Sequence, residues 1–137
     1  MDEIQEATIK VIAGPEKKSH KVTPKEKRLT AFHEAGHAVC TYYCDHQDKV
    51  HQVSIIPRGM AGGYTMSLPE QDKSFVSKKE MEENIITLLG GRVAEQLVLD
   101  DISTGASNDL ERATSTARSM VCLLYTSPSP RDRSLSR

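Results

Sequence analysis

The feature that most constrains this chain is a pair of histidines, His33 and His37, in a segment with a clear helix start. Thr23-Pro24-Lys25-Glu26 forms a capping box with proline at the first helical position, which predicts that a helix begins there. Residues four apart in a helix lie on one face, about one turn apart. The two imidazoles can therefore bind one zinc ion, for which Zn–N distances of about 2.0–2.1 Å are usual.

Glu34 completes a His-Glu-x-x-His pattern with these histidines. It lies about 100° around the helix axis, so it cannot easily be a third ligand but can reach a water at the metal. In zinc peptidases such a glutamate takes a proton from the water and later delivers it to the leaving amine. The pattern also occurs by chance in exposed helices, but its position in a capped amphipathic helix favours a metallopeptidase.

The pattern does not supply a third metal ligand, and two acidic residues are candidates. Glu95 lies within a later predicted helix and would give a His-His-Glu site. Asp109 lies in the first turn of the last predicted helix, where an acid also interacts favourably with the helix dipole. These considerations do not choose between the two.

Two other types of zinc site are excluded by the neighbouring residues. The metzincin extension requires glycine and histidine where this chain has Cys40 and Tyr43. A structural site on this helix is excluded because His33 and Cys44 would lie about 16 Å apart along its axis. The cysteines are interpreted as small buried apolar residues. The remaining histidines, interpreted as surface or loop residues, are His20, His46 and His51.

Composition narrows the class of protein. A length of 137 residues fits one domain, and 37% hydrophobic and 27% charged residues are ordinary for a soluble globular protein. A net charge of −1 argues against a nucleic-acid binder, so the lysine-rich stretch 16–22 is interpreted as a solvated linker. Three cysteines indicate reduced thiols in the cytosol, and no apolar run approaches the roughly 20 residues that span a bilayer.

Turn and capping signals predict four helices and one hairpin. The predicted elements are a helix over residues 2–12, the helix after Thr23, strands over 50–57 and 64–66, a helix opened by the Ser77–Glu80 capping box, and a last helix capped by Asn108 with Glu111. The fold is therefore predicted to be mainly α with a small β-hairpin or sheet, built around a zincin-type helix.

Helical spacing also predicts which residues are buried. Apolar residues at helical spacing include Ile4 and Val11 in the first helix, Leu88, Val93 and Leu97 in the third, and Ala113 and Val121 in the last. In the second helix the stripe through Leu29, Phe32, Gly36, Val39 and Tyr43 suits core packing. Gly90 and Gly91 lie inside a predicted helix, where each costs about 1 kcal/mol relative to alanine. This cost predicts that another backbone or a ligand approaches closely at that point.

The last residues, 122–137, break the helical pattern. Translated back into codons, they resemble a sequencing-library adapter in frame to the final residue, whereas the alternative is a disordered Pro/Ser-rich tail. We expect native protein to stop near Val121 and residues 122–137 to carry no function.

Several motifs in one order give the chain a resemblance to the FtsH family of membrane-anchored, ATP-dependent zinc proteases. They are Val11-Ile12-Ala13-Gly14-Pro15-Glu16-Lys17-Lys18, Phe32-His33-Glu34-Ala35-Gly36-His37-Ala38, Ile56-Pro57-Arg58-Gly59, Gly63-Tyr64-Thr65, Gly90-Gly91-Arg92-Val93-Ala94-Glu95 and Ser103-Thr104-Gly105-Ala106-Ser107-Asn108-Asp109-Leu110. The resemblance covers residues 1–121.

The resemblance implies a role for each site residue. His33 and His37 would bind Zn²⁺ with Asp109 as the third ligand, and Glu34 would be the catalytic base. Glu95 would be a supporting acid that orders a ligating histidine. The strand from Val53 to Pro57 would offer its backbone to an extended substrate by β-strand addition.

The resemblance also implies the organisation of a longer parent protein. Residues 1–22 would be the end of an ATPase module and a linker, and residues 23–121 a truncated peptidase domain. The parent would be a membrane-anchored homo-hexamer with this domain on the cytoplasmic side, acting on unfolded or membrane proteins and binding no nucleic acid. ATP would be bound by other parts of the parent, because this chain has no phosphate-binding loop. The alternatives are an inactive zinc-binding module, against which the intact Glu34 argues, and a nucleic-acid-binding helical domain, which rests only on the lysine-rich stretch.

Overall fold

The computed structural model describes residues 2–19 and 21–125. Its elements are α1 (Glu3–Ala13), α2 (Pro24–Tyr43), β1 (Val50–Ser54), β2 (Tyr64–Ser67), α3 (Lys78–Leu99), a short 3-10 helix (Thr104–Ala106) and α4 (Ser107–Leu124). The predicted fold class, mainly α with a small antiparallel sheet, is confirmed. The prediction for His20 and most of the prediction for residues 122–137 fall outside the described residues.

Two of the three predicted helix caps are confirmed. The Thr23 hydroxyl accepts a hydrogen bond from the backbone N–H of Glu26, and the Glu26 carboxylate accepts one from the N–H of Thr23. Ser77 and Glu80 form the same reciprocal pair at the start of α3. Each box satisfies backbone donors that a helix start leaves without partners.

The third predicted cap, at Asn108, is wrong. The 3-10 helix runs directly into α4, so Asn108 lies inside the helix and the residue before α4 makes no side-chain cap bond. The cap lies earlier, where the Ser103 hydroxyl accepts a hydrogen bond from the N–H of Gly105. The chain enters α4 already coiled, which removes the need for a second cap.

The hairpin is shorter than the sequence predicted. Strand β1 ends at Ser54, where the serine hydroxyl accepts a hydrogen bond from the N–H of Ile56 and turns the chain before Pro57. Strand β2 pairs with β1 in antiparallel register, with Val53 opposite Thr65. This register carries Thr65 past the middle of α2.

Helices α2 and α3 form the main packing layer, and glycines bring them close together. A Cβ atom added to Gly90 would lie 2.7 Å from the carbonyl oxygen of Gly36, and one added to Gly36 would overlap the carbonyl of Gly90. The close backbone approach that Gly90 and Gly91 predicted is therefore confirmed.

The predicted core faces are right in part: Leu88 and Ala113, on the predicted stripes of α3 and α4, are buried, whereas seven other predicted positions are exposed. Among the described residues, the buried apolar side chains are Ile9, Met66, Leu88, Ala106 and Ala113. The residues predicted to be buried but found exposed are Ile4, Val11, Val39, Tyr43, Val93, Leu97 and Val121. The physical reason is that the packed side of α2 is occupied by polar residues, so its apolar stripe lies elsewhere.

A buried arginine attaches α1 to the hairpin. Arg58 is 4% exposed, and its Nη2 lies 3.0 Å from a Glu6 carboxylate oxygen and 2.8 Å from one of Glu16. Its Nη1 donates to the carbonyl oxygen of Gly14 at 3.3 Å. Residues on both sides of the proposed boundary at residue 22 are thus in direct contact, while the boundary itself stays a prediction.

The last helix is longer than predicted. Helix α4 continues through Cys122 to Leu124, although the sequence pattern was expected to break at Cys122. Helicity does not bear on the origin of residues 122–137, which stays a prediction. No helix in the described part of the chain has the length and apolar character needed to cross a membrane.

Candidate metal centre

Three side chains from two helices converge at one point. The Nε2 atoms of His33 and His37 lie 3.0 Å apart. An Asp109 carboxylate oxygen, Oδ2, lies 3.1 Å from the first and 3.3 Å from the second. The histidines come from α2, and Asp109 comes from the first turn of α4. Within the described residues, these three form the group of ligand-type side chains close enough to hold one metal ion.

The spacing of these atoms fits a tetrahedral metal site. Zinc bonds of about 2.0–2.1 Å in tetrahedral geometry place neighbouring ligand atoms about 3.3 Å apart. The three observed separations are 3.0, 3.1 and 3.3 Å. Three protein ligands also leave one position for a reacting molecule, as catalytic zinc sites require.

Hydrogen bonds at the opposite ring nitrogens orient both imidazoles. His33 Nδ1 lies 2.6 Å from Glu95 Oε1, and His37 Nδ1 lies 2.7 Å from the backbone oxygen of Thr87. Both partners are acceptors here, so each Nδ1 carries the proton and donates it. In the neutral ring each Nε2 then presents its lone pair towards the other histidine and Asp109, the protonation state that metal binding requires.

Glu95 lies on the wrong side of His33 to join this group of ligands. Its side chain is 0% exposed, with Oε1 at His33 Nδ1 and Oε2 accepting a hydrogen bond from the N–H of Ser103 at 2.7 Å. Both carboxylate oxygens therefore have partners away from the converging Nε2 atoms. The geometry favours Asp109 over Glu95 as a third ligand.

The electrostatics of the group favour positive charge. Burial alone lowers the pKa of His33 and His37, but hydrogen bonds to the Asp109 carboxylate and to the Nδ1 partners outweigh it and raise the pKa of both. Burial would raise the pKa of Asp109, but the two imidazoles hold it well below its usual range. A cation at this point is stabilised by a carboxylate that stays ionised.

Glu34 borders the same cavity. Its side chain is buried, and its Oε2 accepts a hydrogen bond of 2.7 Å from the Thr65 hydroxyl. The cavity has a volume of about 1020 Å³ and is lined by Glu34, Thr65 and the three converging residues. The arrangement sets a carboxylate beside a candidate metal site, in a cavity large enough for a bound chain segment.

A comparison with known protein families identifies the family of this chain. Residues 20–129 match the family model described as peptidase family M41. The chain belongs to peptidase family M41. The match covers the histidine pair, Glu34, Glu95 and Asp109.

The M41 chain is also similar to several curated proteins. It is 64% identical over 121 residues to "ATP-dependent zinc metalloprotease FtsH 2" of Alkaliphilus metalliredigens, which covers 88% of this chain and 18% of that protein. It is 60% identical over 121 residues to "ATP-dependent zinc metalloprotease FtsH" of Caldicellulosiruptor bescii, covering 88% and 20%. The FtsH protein of Thermotoga maritima is 53% identical over 125 residues, covering 90% and 20%. The predicted likeness to FtsH is confirmed, and the chain spans about a fifth of these relatives' length.

Gly91 makes room for the histidine rings of the M41 site. A Cβ atom there would lie 2.6 Å from His33 Cε1 and 2.7 Å from His37 Nε2. These distances are shorter than real Cβ contacts. Gly91 therefore leaves space for the two histidine rings, while Gly90 allows the close crossing of α2 and α3.

His46, His51 and the cysteines lie outside the M41 site. His46 is exposed and pairs with Glu83 at 2.8 Å, and His51 is exposed on β1, as predicted for surface residues. Cys40 and Cys44 are half-buried rather than fully buried, and Cys122 is exposed. Burial and nearby acidic groups raise the pKa of the Cys44 thiol.

Sequence reasoning missed three contributors to the M41 site. They are the Thr65 hydroxyl, the Thr87 carbonyl and the backbone N–H of Ser103. Two are backbone groups, for which no residue type gives a signal. Thr65 had a weak signal, since it follows Gly63 in a motif shared with the family.

Proposed function

We propose that this chain is the zinc-binding part of an ATP-dependent metalloendopeptidase, with His33, His37 and Asp109 as the metal ligands. The observation that carries the proposal is the convergence of three ligand atoms at separations of 3.0–3.3 Å. Membership of a peptidase family supports the reaction class, and the relatives named as zinc metalloproteases support the metal.

Each residue has a separate task in this proposal. Zinc, when bound, lowers the pKa of water and polarises a peptide carbonyl. Glu34 accepts a proton from the attacking water and returns it to the leaving amine, as a general base and then a general acid. Glu95 keeps His33 in the required tautomer and fixes its ring. Thr87 does the same for His37 through its carbonyl oxygen.

The substrate is proposed to be an extended polypeptide from an unfolded or membrane protein. In the described part of the chain, β1 pairs on one side with β2, and its other edge has no strand partner. An extended peptide can add to such an edge through main-chain hydrogen bonds, which suits a protease that accepts many sequences. The apolar residues Val53, Ile55 and Ile56 are exposed along this segment and are available for side-chain contacts.

The remaining features of the parent are proposals that rest on family likeness. We propose an ATPase module that precedes residue 23, a homo-hexameric ring, and a membrane anchor that leaves this domain on the cytoplasmic side. The relatives' names support ATP dependence. ATP would be bound by a part of the parent outside this chain, which carries no phosphate-binding loop.

The experiment that tests this function uses the complete protease that carries this domain. Glu34→Gln should abolish hydrolysis of a loosely folded protein while zinc content stays at about one per domain. Glu82→Gln, an exposed change of the same chemistry on α3, should leave hydrolysis unchanged. Full activity in Glu34→Gln would refute the general-base role. A zinc-loaded wild type with no hydrolysis would instead support an inactive zinc-binding module.

A further inference from the structure

We propose that Thr65 is a positioning residue that fixes the direction of the Glu34 carboxylate, an inference that rests on the function proposed above. The Thr65 hydroxyl oxygen lies 2.7 Å from Glu34 Oε2 and 3.1 Å from the Glu34 backbone oxygen. A hydroxyl has one proton to donate. The contact to the carboxylate oxygen is the shorter one, so the hydroxyl donates its hydrogen bond to the Glu34 side chain.

The contact is set by rigid parts of the fold. Thr65 lies within β2 and pairs with Val53 of β1, so its backbone position is fixed by the sheet. Glu34 lies within α2 and is 7% exposed. The hydroxyl and the carboxylate therefore meet because β2 packs against α2, and neither residue lies on a loop.

A glycine at the start of the hairpin's second half allows this approach. A Cβ atom on Gly63 would lie 2.6 Å from the carbonyl oxygen of Ser54 and 2.6 Å from Thr30 Cγ2. It would also lie 3.1 Å from Glu34 Cγ. Any side chain at Gly63 would push the strand away from α2 and move Thr65 from the carboxylate. Two neighbouring positions, 63 and 65, therefore serve the same contact.

The hydrogen bond from Thr65 makes the two carboxylate oxygens of Glu34 different from each other. One oxygen is held by Thr65, and the described residues donate no hydrogen bond to the other. A free glutamate side chain samples many rotamers, and fixing it in advance removes an entropy cost from the reaction. Thr65 thus selects which oxygen of Glu34 stays available for proton transfer in the cavity.

The test measures peptide hydrolysis by the complete protease with Thr65→Val and Thr65→Ser. The substrate is a short unstructured peptide, so that ATP-driven unfolding does not limit kcat. Valine keeps the branched shape and removes the donor, so we expect kcat to fall about tenfold with KM and zinc content unchanged. Serine keeps the donor and should restore most of kcat. Thr8→Val, which removes an exposed hydroxyl bond to the Ile4 carbonyl on α1, should change nothing.

The outcomes separate this inference from the proposed function. If Glu34→Gln inactivates the enzyme and Thr65→Val keeps full kcat, the positioning role is refuted and the function stands. If serine is as damaging as valine, or if valine lowers zinc content or raises KM alone, Thr65 is structural and the inference is wrong. If Glu34→Gln keeps full activity, the proposed function and this inference fail together.

Discussion

Glu95 accepts two hydrogen bonds, one at Oε1 from His33 Nδ1 at 2.6 Å and one at Oε2 from the N–H of Ser103 at 2.7 Å. The carboxylate is completely buried, yet both oxygens have partners. Burying a charged group is costly unless its hydrogen bonds are complete, and here they are. These two hydrogen bonds link His33 of α2 to the backbone of Ser103, which precedes the 3-10 helix that leads into α4 and Asp109.

We expect Glu95→Gln to weaken zinc binding by about tenfold to a hundredfold. Glutamine keeps the shape but replaces one acceptor oxygen with an NH₂ group that only donates, so it cannot accept hydrogen bonds from both His33 and Ser103. The measurement is a zinc competition titration against a chelator, with Glu82→Gln on the same helix as the control. An unchanged zinc affinity in Glu95→Gln would show that the buried contact does not orient the ligand.

A second prediction concerns the choice between the two acidic candidates. Asp109→Ala should reduce zinc from about one per chain to a small fraction, because two histidines alone hold zinc weakly. Asp72→Ala, an exposed aspartate in the loop before α3, is the matched control. Zinc content measured by atomic absorption on purified protein gives the answer. Full zinc in Asp109→Ala would mean that the third ligand is another residue.

A third prediction tests the helix crossing. Gly36→Ala should lower the free energy of unfolding by about 1–3 kcal/mol, because the new methyl group overlaps the backbone carbonyl of Gly90. Gly62→Ala is the control, since its Cβ would meet only Thr30 Oγ1 at an ordinary 3.4 Å. Thermal denaturation of both variants compares the two. Equal melting temperatures would mean that the helices can separate at little cost.

A fourth prediction concerns acid. The Lys73 ammonium, 2.7 Å away, and the cap with Ser77 lower the pKa of Glu80 from 4.5 to about 2. The folded state therefore binds fewer protons than the unfolded state between these values. The stabilisation is present above pH 4.5 and is lost as pH falls towards 2. Wild type should be more stable than Glu80→Gln at pH 6, and the difference should shrink steadily below pH 4.5.

The difference between the two denaturation curves isolates Glu80 from the other carboxylates that titrate in the same range. A difference that stays constant from pH 6 to pH 2 would show that the capping box does not depend on the charge of Glu80. Since Glu80 is on the surface, added salt should also reduce the difference.

Local signals gave the starts of α2 and α3 and the geometry of the histidine pair correctly, whereas the start of α4 was predicted wrongly. Capping boxes at Thr23 and Ser77 depend on residues three apart, and the His33–His37 geometry depends only on helix pitch. The site's closure depends on residues far apart in the chain. Asp109 meets His33 across 76 positions, and the residues alone left it equal to Glu95. Family likeness, rather than spacing, favoured Asp109 before the structure did.

The buried face of α2 could not be predicted from hydrophobic spacing, because its buried residues are polar. Periodicity assigned burial to Val39 and Tyr43, yet the residues that face the packed side of α2 are His33, Glu34 and Thr41. Hydrophobic patterns find the core only where the core is apolar. Here the packed side of the helix is where the chemistry is placed.

The Gly36–Gly90 contact has a consequence for how the centre can fail. Both Nδ1 partners of the histidines, Thr87 and Glu95, belong to α3, and the glycine contact fixes how deeply α3 sits on α2. A slip of α3 by one residue, about 1.5 Å along its axis, would break both anchors in the same movement. The orientations of the two imidazoles are thus coupled, because one shift of α3 would break the Nδ1 hydrogen bonds of both rings.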